Sequence, residues 1–299
     1  MQSYSLENND SAGIGKLKQW QKKQAVHSDE GKSLHFLSYS LNDESLINEI
    51  VQFMPQLDFM SFSSCKIPSK SLTHIARALA SSRSLRILKF WDCDIDNMKL
   101  AILGEGIQAA PHLETLRIQR TKVSDLYGIS RCSYIITLDA SQNAITTLES
   151  LQQSALSHSL QDLDLSSNRI SKLKDLPRLS SLRVLNLEQN SLQDIPDTFK
   201  RSLPRIQKLD LVGNPIVSDL SNLTKLTTLQ SLSLPSNCSN EKTVALFGLP
   251  RLKELYVGTQ AIELPEKVGG TLDSLSSFLL SIICCESYGR SERRSSKNQ

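Results

Sequence analysis

The apolar residues of this chain recur in a fixed pattern. In residues 160–170, leucine or isoleucine occupies positions 1, 4, 6 and 11 of an eleven-residue segment, and asparagine occupies position 9. Residues 182–192 and 206–216 repeat this arrangement. Weaker copies begin at Leu34, Leu57, Leu85, Leu113, Ile135, Leu229 and Leu252, which makes ten segments with starts 22 to 28 residues apart. Such a period indicates a chain built from stacked, similar units.

Alternation around positions 4 and 6 predicts one short strand in each unit. Successive side chains of a strand point to opposite faces, so positions 4 and 6 enter the core and the intervening positions face solvent. Position 9 is expected to pair buried backbone groups where the chain leaves the strand. This column contains Asn42, Cys65, Cys93, Thr121, Asn143, Asn168, Asn190, Asn214, Asn237 and Gln260. Cys65 and Cys93 are therefore interpreted as structural thiols.

The segments between the strands are of two kinds. After Cys65 and again after Cys93, apolar residues at i, i+3 and i+7 predict a full α-helix. In later units, such as residues 170–182 and 220–229, an apolar residue at every third position favours 3₁₀ turns. Helical spacing at residues 46–54 and 272–282 predicts helices near the two ends, where a solenoid needs caps.

This pattern resembles that of the leucine-rich repeat family, over roughly residues 34–262. The 28-residue units resemble the ribonuclease-inhibitor class. The shorter units resemble the 22-residue class, typified by a regulatory subunit of protein phosphatase 1 and by axonemal proteins. The resemblance implies an α/β fold: a right-handed leucine-rich repeat solenoid with a parallel concave sheet of about ten strands, and convex helices and 3₁₀ turns.

The expected organisation has three parts. Residues 1–30 are polar and are expected to be disordered, residues 31–285 to form the repeat domain with its caps, and residues 286–299 to form a flexible basic tail.

Composition narrows the classes of function. The 299 residues include 48 leucines and carry a formal charge of +3, which gives no global support for binding nucleic acid or an anionic membrane. No stretch of 18 consecutive apolar residues occurs, and the first residues lack the apolar core of a signal peptide. The six cysteines follow no disulfide or zinc spacing. A cytoplasmic protein with reduced thiols is expected, and a cytoskeletal, ciliary or nuclear location stays open.

Motifs of catalysis are absent from the sequence. The five histidines are scattered, and no Walker loop, GxGxxG or GxSxG segment occurs. Asp139, Asp162 and Asp164 are the candidates for paired carboxylates, but on an open, wet sheet they are expected to be solvated charges. The chain is therefore expected to be non-enzymatic and to bind neither a cofactor nor a metal ion.

The expected binding site consists of outward-facing strand residues in three zones. An apolar zone contains Phe36 and Phe59, a basic zone contains Lys89, Trp91, Arg117 and Arg120, and an acidic zone contains Asp139, Asp162, Asp164, Glu188 and Asp210. Asn186 and Tyr256 belong to the same surface. Trp and Arg contribute most strongly to protein interfaces, which favours a docking surface. Under the alternative interpretation, aspartate in the middle column is simply common in this repeat class.

These features predict a monomeric protein-binding module, an intracellular adaptor or regulatory subunit that binds a protein on its concave face. The repeat subtype favours a phosphatase or a cytoskeletal motor complex as partner, by analogy of fold alone. Alternatives are an axonemal or cytoskeletal component and an effector or immune-type sensor subunit. Nucleic acid is not an expected partner, and a membrane is expected only if Cys284 and Cys285, before the basic tail, are acylated.

Overall fold

The strands of the described residues form a single twelve-stranded sheet, in which they follow one another in the order of the sequence. The computed structural model describes residues 2–7, 32–174, 176–238 and 243–264. Strands β1 to β11 are parallel to their neighbours, and β12 is antiparallel to β11. The strands β1 to β12 are Gln2–Glu7, Lys32–Leu37, Phe59–Ser63, Ile87–Trp91, Thr115–Gln119, Thr137–Asp139, Asp162–Asp164, Val184–Asn186, Lys208–Asp210, Ser231–Leu234, Glu254–Val257 and Gln260–Ile262. The leucine-rich repeat solenoid predicted from the sequence is confirmed.

The hydrophobic core follows the predicted phase through the central coils. The leucines at positions 4 and 6 there are at most 2% exposed: Leu163, Leu165, Leu185, Leu187, Leu209 and Leu211. Each coil stacks its leucines on those of the next coil, so burial of apolar area provides the main stabilisation along the whole solenoid.

The convex side changes from α-helices to 3₁₀ turns along the chain, as predicted. Among the described residues, the longer helices on this side are α1 (Glu44–Phe53), α2 (Ser69–Ser81) and α3 (Asn97–Ile107). Five 3₁₀ turns span Met54–Gln56, Tyr127–Ile129, Glu149–Leu151, Ser221–Lys225 and Val244–Gly248. Two single-turn helices, α4 (Leu156–Ser159) and α5 (Phe199–Ser202), are additions to the predicted pattern. Of the described helices, none is both long enough and apolar enough to cross a bilayer.

Three glycines allow the convex elements to pack at backbone contact. A Cβ atom on Gly104 of α3 would lie 1.7 Å from the carbonyl oxygen of Gly128 in the next coil. A Cβ atom on Gly106 would lie 2.0 Å from the carbonyl oxygen of Ala76 in α2. No side chain fits at these positions, so the absence of a Cβ sets the close spacing of α2, α3 and Tyr127–Ile129.

A ladder of polar side chains runs along the core where the strands end. The Asn190 Nδ2 donates to the carbonyl oxygens of Leu165 and Leu187 at 2.9 and 3.1 Å, and its Oδ1 accepts from the Ile170 amide at 3.0 Å. Asn143, Asn168 and Asn214 make equivalent bonds between coils. The Cys65 and Cys93 thiols donate to carbonyl oxygens of the preceding coil, 3.5 and 3.4 Å away. The structural role predicted for these two cysteines is therefore confirmed.

The first coil lies three residues out of the predicted register. Leu34 pairs with Met60 of β3, so it occupies position 4 rather than position 1. Phe36 consequently occupies position 6 and is fully buried, with its ring stacked 5.0 Å from the ring of Phe62. The prediction of Phe36 as a surface residue is therefore wrong, because a stack of phenylalanine rings in the core fixes the register. Asn42 is exposed and lies outside the ladder. Tyr39 occupies position 9 in this coil instead.

Both ends of the sheet differ from the prediction. Disorder is predicted for residues 1–30, whereas Gln2–Glu7 forms β1 and covers an otherwise open edge of β2, where backbone groups would lack partners. At the other end the chain turns at Gly258, with φ +60°, and Gln260 enters β12 instead of the ladder. Asn237 is exposed, but its Nδ2 donates to the Ile216 carbonyl oxygen of the preceding coil at 2.9 Å. The predicted cap helix near 272–282, the basic tail, and Cys284 and Cys285 lie outside the described residues.

Candidate functional site: the concave face

The outward-facing side chains form straight columns because the parallel strands pair in register. The middle column consists of His35, Ser61, Lys89, Arg117, Asp139, Asp164, Asn186, Asp210, Ser233 and Tyr256. Phe59 and Asp162 lie in the column before it, and Trp91 and Glu188 lie in the column after it. Arg120 lies in a turn just beyond β5, with φ +50°. The predicted residues other than Phe36 and Arg120 therefore share one face, and their role in binding stays a prediction.

A basic–aromatic patch, defined as Lys89, Trp91 and Arg117, covers β4 and β5. The Lys89 Nζ lies 5.6 Å from the centre of the Trp91 ring, which is cation–π geometry. Arg117 pairs in register with Lys89 and is exposed. Within the described ranges neither cation forms an ion pair. The patch thus exposes the positive charges of Lys89 and Arg117 next to the indole ring of Trp91.

Arg120 differs from the other predicted basic residues. Its Nε lies 3.2 Å from the Asp92 Oδ1, in an exposed ion pair between two adjacent turns. Exposed pairs of this kind contribute little to stability, but the carboxylate offsets much of the cation's charge. The basic–aromatic patch is therefore smaller than predicted.

The aspartates of the middle column also have a structural role that the sequence prediction lacks. The Oδ1 atoms of Asp139, Asp164 and Asp210 accept hydrogen bonds from backbone amides two residues later, at 3.1, 2.8 and 3.0 Å. Asn186 does the same for the Glu188 amide at 2.9 Å. Such bonds stabilise the turn at the end of a strand. The signal in the sequence is the restriction of position 5 to Asp or Asn in four successive coils.

The acidic strip, defined as Asp139, Asp162, Asp164, Glu188 and Asp210, covers β6 to β9 and the residues that follow them. Burial raises the pKa of Glu188, and the nearby carboxylates of Asp210 and Asp164 raise it further. Burial also raises the pKa of Asp210, although hydrogen bonds from Val212 and Ser233 oppose this change. The strip therefore holds negative charges that destabilise one another.

The two zones meet between β5 and β6 without neutralising each other. Arg117 and Asp139 pair in register on these strands. The Asp139 Oδ1 accepts from the Ser141 hydroxyl at 2.7 Å, and no ion pair with Arg117 forms. The sign of the surface charge thus changes across one strand boundary.

A histidine–serine pair on the first coils was not predicted. The His35 Nδ1 lies 2.7 Å from the Ser61 Oγ, and its Nε2 lies 3.3 Å from the Ser33 Oγ. The ring packs 5.1 Å from that of Phe59. Burial lowers the pKa of His35, and the positive charge of Lys89 lowers it further. This pair was missed because the predicted register starts the first coil at Leu34, which places His35 at position 2 instead of in the middle column.

The concave face is an open surface rather than an enclosed metal or cofactor site. In the part of the chain that the structure describes, no three side chains of His, Cys, Asp or Glu converge in a way that could hold a metal ion. The outward columns instead offer hydrogen-bonding groups, charges of both signs and the aromatic rings of Phe59, Trp91 and Tyr256.

Comparisons with known proteins agree with this architecture. Residues 158–216 match the family described as leucine rich repeat. The chain is 25% identical over 287 residues to Tsukushi of Gallus gallus, covering 93% of this chain and 74% of that protein. It is 32% identical over 139 residues to tubulin-folding cofactor E of Arabidopsis thaliana, covering 40% of this chain but only 26% of that protein.

The fold also has a counterpart among solved structures. An internalin from Listeria monocytogenes superposes with a TM-score of 0.56 at 19% identity, over 76% of this chain and 67% of that structure. At this identity the likeness concerns the fold alone. The periodic leucines, the parallel strands stacked in chain order and the asparagine ladder agree with these matches, and together they show that the chain folds as a leucine-rich repeat solenoid.

Proposed function

We propose that this chain is a non-enzymatic module that binds a protein partner on its concave face. The basic–aromatic patch is the observation that carries the proposal. Its Lys89, Trp91 and Arg117 side chains come from two adjacent strands and point away from the core, so packing of the solenoid does not require them. Tryptophan and arginine are the residue types that dominate binding energy at interfaces.

The dimensions of the face suit a protein partner. The ten strands β2 to β11, spaced by about 4.8 Å, make a surface roughly 43 Å long. A surface of that length accommodates an interface of ordinary size, about 800 Å² on each partner. An open sheet face suits a protein better than a small molecule, since small-molecule sites are enclosed clefts.

Within this proposal the chain acts as an intracellular adaptor or regulatory subunit. Among the described residues, Cys65, Cys93 and Cys132 are buried and form no disulfide, which supports a reducing compartment such as the cytoplasm. The short coils with 3₁₀ turns support a phosphatase or a cytoskeletal complex as the partner class. The similarity to a tubulin-folding cofactor supports the cytoskeletal alternative.

Affinity capture with matched variants tests the proposal. Tagged full-length wild-type protein is compared with Trp91→Ala and Arg117→Ala, and captured proteins are quantified by mass spectrometry. Val217→Ala is the control, because Val217 is 70% exposed and lies outside the concave columns. We expect wild type and control to enrich the same proteins, and the two concave variants to lose them. Equal enrichment by all four proteins would contradict binding on the concave face.

A further inference from the structure

We propose that the concave face recognises an extended protein segment with two blocks of opposite charge. An acidic block of the partner lies over the basic–aromatic patch on β4 and β5, and a basic block lies over the acidic strip on β6 to β9. This inference rests on the proposed function, because it names the chemistry and orientation of a partner on that same face.

The order of charges along the solenoid is the first argument. Lys89 and Arg117 occupy the middle column on consecutive strands. Asp139, Asp164 and Asp210 occupy the same column on β6, β7 and β9. Because the register of the sheet fixes this order, the middle column has a positive part and a negative part that cannot exchange places.

The lack of internal compensation is the second argument. Lys89 packs over the Trp91 ring, and neither Lys89 nor Arg117 is ion-paired within the described residues. The Asp139 carboxylate accepts a hydrogen bond from the Ser141 hydroxyl and forms no ion pair with Arg117. On the negative side, carboxylates on neighbouring strands repel one another, and this repulsion contributes to the raised pKa of Glu188. Charges of a partner would compensate both parts at once.

The spacing of the two parts sets the length of the segment. Arg117 and Asp210 are separated by four strand steps, or about 19 Å at roughly 4.8 Å each. An extended chain covers this distance with about six residues. A uniformly anionic partner, such as nucleic acid or a lipid surface, would be attracted by one part and repelled by the other.

Synthetic peptides provide the test with the full-length protein. The block peptide joins a run of glutamates to a run of lysines through a glycine–serine linker of about six residues. The control peptide has the same composition with glutamate and lysine alternating. Binding is measured by fluorescence anisotropy at low salt. We expect the block peptide to bind about tenfold more tightly, because its two ends engage together.

Variants of the protein locate the two contacts. Arg117→Glu is expected to remove most of the block peptide's preference, whereas Arg131→Glu, at an exposed position outside the columns, is expected to preserve it. Asp164→Asn and Asp210→Asn each remove one charge from the strip and keep an oxygen for the turn hydrogen bonds, so they are expected to weaken binding in a folded protein.

Three outcomes would overturn the inference. They are equal binding of the alternating peptide, equal effects of Arg117→Glu and Arg131→Glu, and tighter binding of a single-stranded RNA with the same number of negative charges. If any of these occurs while protein capture still depends on Trp91, only the charge-block inference fails. If capture no longer depends on Trp91, the proposed function itself fails.

Discussion

The Asn186 Nδ2 donates a hydrogen bond to the Asp164 Oδ2 at 3.2 Å, which joins the ends of two adjacent strands. The Oδ1 atoms of the same two residues accept from backbone amides at 2.9 and 2.8 Å. Position 5 therefore stabilises turns and at the same time presents charge on the concave face. Asparagine keeps the acceptor oxygen and removes the charge, so substitution can separate the two roles.

Asp164→Asn and Asp164→Ala should have different effects on stability. We expect Asp164→Asn to change the free energy of unfolding by less than about 1 kcal/mol, since Asn186 makes the equivalent bond. Asp164→Ala leaves the Ser166 amide without this partner and should cost about 2 kcal/mol. Urea unfolding measures the free energy of unfolding of both variants. Both variants should also bind the block peptide more weakly than wild type does. Equal stability of the two variants would contradict the turn role.

Gly104→Ala should destabilise the α-helical part of the solenoid. Its Cβ atom would lie 1.7 Å from the Gly128 carbonyl oxygen, so α3 has to move away from the next coil. We expect a loss of roughly 3 kcal/mol in urea unfolding, as for other overpacked sites. Gly248→Ala is the matched control, because no atom lies within 4 Å of its added Cβ, and it should stay within about 1 kcal/mol of wild type. Similar stability of both variants would disprove the backbone contact.

Asn190→Ala should destabilise the protein more than Asn42→Ala does. Asn190 is 7% exposed, and its loss leaves the Ile170 amide and two buried carbonyl groups without this partner. The cost should be roughly 3 kcal/mol. Asn42 is exposed, and within the described part of the chain its side chain bonds to Ser40 alone, so its loss should cost less than about 0.5 kcal/mol. If thermal melting showed a similar cost for Asn42→Ala, the sequence-based register of the first coil would be right after all.

Thiol labelling should distinguish the folded from the unfolded chain. Burial raises the pKa of Cys132 to about 12, and a hydrogen bond with Cys65, together with burial, raises the pKa of Cys93. These thiols are protonated and inaccessible at neutral pH, and maleimide reacts with the thiolate. A hydrogen bond with Cys93 lowers the pKa of Cys65, but Cys65 is buried like the other three described cysteines. In a Cys284→Ser/Cys285→Ser variant, we therefore expect negligible labelling of the folded protein and four labels in urea. A disulfide in alkylated protein, or rapid labelling of the folded state, would refute this.

Glu188→Gln should stabilise the protein at neutral pH. Because the pKa of Glu188 is raised in the folded state, the folded chain holds its proton over a pH range in which the unfolded chain has lost it. Its contribution to stability therefore falls as pH rises from the ordinary glutamate value, about 4.3, through the raised value. Glutamine removes this loss, so the gain should be present at pH 7 and shrink as pH falls through that window.

The control for this pH dependence is Glu149→Gln, because Glu149 is exposed and lies on the convex side. Urea unfolding at a series of pH values gives the free energy of unfolding for each variant. A Glu188→Gln gain that persisted unchanged below the ordinary glutamate pKa would show that repulsion within the acidic strip is not its cause.

The sequence alone determined the repeating part of the structure. In the central coils, two buried leucines alternate with outward residues, and an asparagine follows at a fixed distance, as in Leu185, Leu187 and Asn190. This pattern is local, because it depends on how one strand turns its side chains and on the hydrogen bonds at its end. Neighbouring coils carry the same pattern, so burial and the ladder were predictable without knowledge of their contacts. The outward position of Trp91, Arg117 and the aspartates follows from the same alternation.

Only the tertiary structure decided what happens where the repeat becomes irregular. Leu34 and Leu37 lie three residues apart, so either leucine could occupy position 4 of the first coil. The pairing of Leu34 with Met60 places Leu34 there. The roles of Gly104 and Gly128 depend on a distance between two coils, which no spacing along the chain reveals. The strand Gln2–Glu7 and the final reversal at Gly258 likewise depend on an open sheet edge. Local alternation fixes which side chains are buried, whereas register and end structure arise from contacts between residues far apart in sequence.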